Sequence, residues 1–335
     1  MPDLSVRLGH LELKNPVVCA SGEWTASADG MRAALERGAA AVVAKSANES
    51  EAARRQLETA EYVLFDERWE PLPWGPAPRS ATLLNRSGLV REPFDSWVET
   101  LVALDRDAAE RDAYVVASLI VGDPDEAVAA ARTLEEAGLR WLELNVGAPH
   151  GSEAPAGTIR TGAELVSAVR EAVRIPLTAK IAGQGDVLAA SEDATEAGAD
   201  HVCLATRPLG FVPDLETQRP ALGTFGAVGG AWLLPLTLRW VAKARQRFGG
   251  EIPIVGTGGA RDGRDVARFL LAGASAVQLG SVVFTDGFDA IARALDELTA
   301  YLDEQGASAS ELVGRAADAV MTYEEVANEL DRNVR

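Results

Sequence analysis

Cysteine and histidine are both scarce in this chain. Its 335 residues hold two cysteines, Cys19 and Cys203, and three histidines, His10, His150 and His201. An iron–sulfur cluster takes about four thiolates, so two cysteines exclude one held by this chain alone. Both thiols sit inside apolar runs far apart in sequence, which predicts buried free cysteines in a reducing cytoplasm rather than a disulfide framework. The histidines show no ligand spacing with one another, so no metal site is expected. Long apolar runs are missing as well. The longest are strand-length and end at Gly, Pro or charge, so no membrane span is expected. The N-terminus lacks a basic stretch followed by an apolar one, so no secretory signal is expected. Positive charge is in short supply: 32 Lys and Arg against 50 Asp and Glu give a net charge of −18. That balance argues against nucleic acid or an anionic membrane as partner.

What is present is ordinary for a soluble globular protein, with 47% hydrophobic and 24% charged residues. The length suits one large α/β barrel or two medium domains. Residues 4–14 alternate apolar and polar around Gly9-His10, as a small hairpin closing a barrel bottom would. Buried strands are then predicted at 15–22, 39–46, 114–120, 141–147, 176–181, 200–206, 253–256 and 276–280. Helices are predicted at 29–38, 93–105, 123–138, 161–173, 187–197, 234–247, 265–271 and 287–304. A tail over 305–335 carries two more short helical patterns. Eight strands alternating with helices predict a (β/α)8 TIM barrel as one domain covering 1–335. A doubly wound sheet would instead carry its glycine fingerprint after the first strand. Residues 47–84, with Trp69, Trp74 and four nearby prolines, show no helix–strand repeat and read as a loop insertion, part of a lid or of a subunit interface.

In such a barrel the active site lies where the strands end. Those ends carry Ser21, Lys45, Ser118, Asn145, Lys180 and Thr206. The last two units, PIVGTGG (253–259) and AVQLGS (276–281), end in glycine turns whose bare N–H groups suit a phosphate. Lys45 and Lys180 each terminate an apolar strand, where a lysine is costly to bury without an anionic or electron-rich partner.

With these residues in place the chain resembles the dihydroorotate dehydrogenase family in its soluble, class 1 form, and is also similar to the pyrimidine-reducing domain of dihydropyrimidine dehydrogenase. The similarity runs through LSVRLGHLELKNPVVCASG, AKS at 44–46, NRSGL at 85–89, ELNVGAPHG at 143–151, PLTAKI, GAVGGAWLLPLTL, the glycine-turn segment and the tail SASELVG. The resemblance implies FMN as cofactor. Ala20, Ser21 and Gly22 would lie against the isoalloxazine, with Lys45, Ser46, Asn145 and Lys180 around its pyrimidine edge. Gly230, Gly258, Gly259, Gly280 and Ser281 would hold the phosphate and ribityl side. Asn85 and Asn145 match positions that bind a pyrimidine ring, through amides that both donate and accept. Soluble relatives imply a homodimer, and the cysteine count places any second redox centre on a separate electron-transfer partner.

Two departures from the family pattern bear on mechanism. Ala148 stands where the family carries its proton-abstracting cysteine, and general acid–base help is worth roughly 10²–10⁴-fold. His150, two residues on with Ser152 behind it, is the candidate substitute. After strand six, Thr206-Arg207 replaces an Asn followed by Ser or Thr, adding a cation able to clamp an acid. The expected function is an FMN-dependent oxidoreductase moving hydride to or from a carbon–carbon bond beside a carbonyl in a small cyclic or carboxylated substrate. A flavin-dependent isomerase or tailoring enzyme, and a non-catalytic phosphate-ligand barrel, are the alternatives.

Overall fold

The chain folds as a closed parallel barrel of eight strands taken in sequence order, as the computed structural model of residues 2–47, 60–120, 123–146 and 162–333 describes it. The barrel strands are β1 (Val17–Cys19), β2 (Ala41–Val43), β3 (Tyr114–Leu119), β4 (Leu142–Asn145), β5 (Leu177–Ala182), β6 (His201–Thr206), β7 (Ile254–Thr257) and β8 (Ala276–Leu279). β8 pairs with β1 and closes the ring. These strands read as continuous apolar runs because both faces are covered, by barrel interior on one side and helices on the other. Val17, Val18 and Cys19 are all buried, as are Ala41, Val42 and Val43.

The helices start where the sequence offers caps. Asp123 accepts from the Asp125 and Glu126 amides ahead of helix Pro124–Glu136, and Asp262 accepts from Asp265 N ahead of helix Gly263–Ala272. Below the barrel, the predicted hairpin forms between Val6–Leu8 and Leu11–Leu13. Its turn places Gly9 against His201. His201 is buried, with Thr178 Oγ1 3.2 Å from its Nδ1. The tail is helical as expected and is tied down by Gly314 N donating to Leu270 O and by an Arg245–Asp318 ion pair.

The insertion is where the fold departs from the sequence reading. Residues 61–86 are not an unstructured loop: strands Glu61–Phe65, Pro71–Leu72 and Thr82–Arg86 form in it. They join Leu209–Gly210 and Gly226–Gly229, from the excursion after β6, in one five-stranded antiparallel sheet. Two segments more than a hundred residues apart thus complete each other's hydrogen bonds, a pairing that no local periodicity encodes. The sheet has its own small core of Phe65, Leu84 and Leu222. Arg79 pins it to the barrel through Asp262 (2.8 Å) and the buried Asp265 (2.8 Å).

Candidate active site

The two sheets enclose a cavity of about 230 Å³ at the C-terminal ends of the barrel strands. Barrel loops form its floor, and Leu64, Leu83, Asn85, Leu209 and Ala227 of the antiparallel sheet line it from above. Parallel register sets Lys180 beside Asn145 on neighbouring strands, so both reach the cavity from one side.

Most residues singled out from sequence converge here. Ala20, Ser21, Lys45, Ser46, Asn85, Asn145, Lys180, Thr206, Arg207, Gly230, Gly258, Gly259, Gly280 and Ser281 all line the cavity. Gly22 does not. It is buried beneath Trp24, whose ring a Cβ at Gly22 would meet at 2.3 Å, while Trp24 Nε1 donates to Ala20 O at 2.8 Å. Ala148, His150 and Ser152 lie outside the described residues. Of the tryptophan- and proline-rich stretch, Ala77 and Pro78 line the cavity, while Trp74 packs edge-on against Phe284 and Trp69 lies against Phe65, both indoles remaining exposed on their other side.

Each lysine has the anionic partner that its burial at a strand end calls for. Lys180 Nζ donates to Glu143 Oε1 and Gln278 Oε1, both at 2.9 Å, and Gln278 Nε2 donates to Glu143 Oε2 at 2.6 Å. Burial works against the Lys180 ammonium, but Glu143 outweighs it and holds the pKa above the ordinary lysine value. Lys45 Nζ donates to Glu23 Oε1 at 2.8 Å and reaches Ser87 Oγ at 3.3 Å. Here burial dominates and lowers the pKa, with Glu23 opposing it. Neither cysteine offers a base. Burial pushes the Cys19 thiol up to about 12 and raises Cys203 as well, and both are free and buried, as the sequence suggested.

Of the cations that line the cavity, Lys45, Lys180, Arg86 and Arg261 are paired with Glu23, Glu143, Glu61 and Asp286. Arg207 has no ion-pair or hydrogen-bond partner among the described residues. It is half-buried, and burial lowers its pKa against the attraction of Glu23. Among the described residues two buried acceptors, Asn85 Oδ1 and Asn145 Oδ1, and one buried donor, Arg86 Nε, also have no hydrogen-bond partner, although Asn85 Nδ2 donates to Ala227 O at 2.9 Å. A buried amide oxygen without a donor costs about 1–3 kcal/mol, so such orphans point to a ligand carrying N–H groups.

At the other end, Gly258 and Gly259 take φ of +96° and +94°. A Cβ on Gly259 would stand 2.5 Å from Leu234 N. The turn can pack against the backbone at Leu234 only because the side chain is missing. Gly259→Ala is expected to destabilise the fold by about 1–3 kcal/mol and to lower retention of a phosphate-bearing ligand, read from the melting temperature and the ligand content of purified protein. An unchanged melt with full ligand content would refute the cradle.

Sequence reading passed over Glu23, Tyr62, Ser87 and the Glu143–Gln278 pair. A signal existed for the last two, since WLELN and AVQLG each carry one polar residue inside an apolar strand, where it needs a partner. Glu23 had none. No helix among the described residues is long and apolar enough to cross a membrane.

Comparison with known proteins follows the same lines. A profile of the family described as Dihydroorotate dehydrogenase matches residues 73–302. The chain is 30% identical over 325 residues to the dihydroorotate dehydrogenase B (NAD(+)) catalytic subunit of Methanothermobacter thermautotrophicus, covering 94% of this chain and 99% of that one. Against the protein of the same name from Methanocaldococcus jannaschii, identity is 27% over 319 residues, covering 93% and 98%. Against that of Bacteroides thetaiotaomicron it is 29% over 320 residues, covering 94% and 99%.

Proposed function

This chain belongs to the dihydroorotate dehydrogenase family, and from that premise we propose that it oxidises or reduces a carbon–carbon bond beside a carbonyl in a small N–H-bearing ring, with an acid group of that ring held by Arg207. Family members are flavin-dependent oxidoreductases acting on CH–CH groups, and the fit of FMN can be tested against the residues present. The glycine cradle at 258–259, with Gly230, Gly280 and Ser281 beside it, suits the phosphate and ribityl side. Ala20 and Ser21 offer small side chains against which a flat ring can lie, and Lys180 and Lys45 carry the cations for its electron-rich edge. FMN bound there would supply the hydride acceptor or donor.

The observation that carries the substrate assignment is a grouping at one cavity: among the described residues, two buried amide oxygens have no donor and one guanidinium has no anion. Asn85 and Asn145 would accept from ring N–H groups and fix the ring's orientation. Arg207 would grip a carboxylate with its planar fork. Among the described residues no Cys, His, Asp, Glu or Tyr lines the cavity, so proton transfer is assigned to His150, four residues past Val146. In sequence it lies five residues after Asn145. With no cluster cysteines of its own, the chain would pass electrons to a separate subunit, as the relatives' description as catalytic subunits suggests, and would act as a homodimer.

The test is anaerobic mixing with dihydroorotate, following the flavin absorbance. Wild type is expected to bleach. His150→Ala is expected to bleach roughly 10²–10⁴-fold more slowly, and Arg207→Gln to need at least about tenfold more substrate. Protein that holds flavin but is not bleached would redirect the assignment to another ring. Protein that refuses FMN would end the flavin reading.

A further inference from the structure

Glu23 stands at the cavity's edge without a part in the chemistry above. It lies in the tight turn Glu23–Thr25 directly after β1. Thr25, fully buried, locks that turn: Gly22 N donates to Thr25 Oγ1 and Thr25 N to Gly22 O. The turn aims the carboxylate at three converging donors. Oε1 accepts from Lys45 Nζ at 2.8 Å and from Gly88 N at 2.8 Å, and Oε2 accepts from Tyr62 OH. Ser87 Oγ closes the group, 3.3 Å from Lys45 Nζ and 3.0 Å from Tyr62 OH.

An ammonium, a main-chain N–H and a phenol around one carboxylate make an anion seat, the donor set that proteins use to hold the acid group of a ligand. Lys45, Ser87 and Gly88 all line the cavity. In this chain the anion in the seat is its own. The donors are taken, and a second carboxylate approaching Lys45 meets a neutralised pair and the Glu23 charge. Arg207, electrostatically coupled to both Lys45 and Glu23, is then the cavity's remaining unpaired cation among the described residues.

We infer that Glu23 is a specificity-determining residue: by occupying the Lys45–Gly88–Tyr62 seat it closes that end of the cavity to anions, so the substrate presents a neutral polar group there and carries its acid, if any, toward Arg207. This rests on the oxidoreductase reading given above. It adds the substrate's charge distribution.

The experiment compares binding of orotate with that of uracil, the same ring without the acid, to wild type, Glu23→Gln, and Glu23→Gln with Lys45→Met. Affinities come from calorimetry, and the flavin spectrum is taken from the same samples. Hydrogen bonds to charged groups are worth about 1.5–3 kcal/mol, so freeing the seat should raise orotate affinity about 10–100-fold. Uracil affinity should stay within about twofold, and the gain should vanish when Lys45→Met is added. Glu23→Ser serves as a second variant should the glutamine side chain keep the donors occupied. An orotate-to-uracil ratio that is unchanged in both Glu23 variants overturns the inference, and flavin in those samples shows that the family function stands. A gain that survives Lys45→Met also overturns it, since that is general charge relief rather than an opened seat. Flavin-free protein that binds neither ring overturns both readings.

Discussion

Glu143→Ala is expected to destabilise the protein by about 3–5 kcal/mol, the usual cost of stripping one partner from a buried ion pair. Glu143 is 1% exposed and supplies both oxygens of a closed triangle with Lys180 and Gln278. Without it, burial and the nearby Arg207 act against the Lys180 ammonium with only Gln278 Oε1 left to accept from it, and the pKa that Glu143 now holds above the ordinary lysine value would fall. The variant should therefore lose stability in urea and also lose the positive charge at the cavity floor. The double change Glu143→Leu with Lys180→Met separates the two effects. It removes both charges and should recover most of the stability, because buried pairs replaced by apolar residues of similar size are often neutral in energy. Its rate of flavin reduction should stay low. A single Glu143→Ala variant that melts like wild type would show that water reaches Lys180 and that the triangle is not a buried network.

The second large effect is a loss of stability in mild acid that traces to His201. Burial pushes this side chain from the ordinary 6.5 down to about 4, against a smaller upward pull from nearby Asp200, and His10 adds to the depression. A base with a folded pKa below its unfolded value binds protons preferentially when unfolded. Its neutral form therefore contributes its full stability above about pH 6.5, and this is lost as pH falls toward 4. The span is worth roughly 3 kcal/mol, of which about 2 kcal/mol is gone by pH 5. The structural cause is plain. His201 sits where Gly9 of the bottom hairpin closes over its ring, beside Trp141 and hydrogen-bonded to Thr178. No counterion is hydrogen-bonded to it among the described residues. Urea midpoints at pH 7.5 and pH 5 for wild type and His201→Gln check this. The variant should be less stable at pH 7.5 yet lose about 2 kcal/mol less on acidification. An equal loss in both proteins would assign the acid sensitivity to other groups.

These two residues also show where sequence stops being informative. His201 opens an apolar strand and could be read there only as a histidine without ligand spacing. Its depressed pKa comes from a hairpin that begins nearly two hundred residues earlier. Glu143 and Gln278 were visible as lone polar residues in buried strands, but that they meet each other and Lys180 follows from barrel closure. The phosphate cradle was legible because it is local. Gly258, Gly259, Gly280 and Ser281 belong to contiguous strand–turn segments whose backbone needs are written in their own residues.

By itself, then, the sequence determined the barrel, its closing hairpin, the glycine cradle and the ring of strand-end residues from Ser21 to Arg207. Each depends on periodicity, turn chemistry or position within a repeating unit, all of which act over a few residues. Tertiary structure alone decided three things. The insertion became a sheet because strands 82–86 and 226–229 found each other across the chain. The lysines became ion pairs because Glu23 arrives from the turn after β1 and Glu143 from the strand beside that of Lys180. And Arg207 was left as the unpaired cation among the described cavity residues because every other lining cation met a carboxylate first. Charge pairing depends on which side chains share a low-dielectric space, and only the closed fold defines that space.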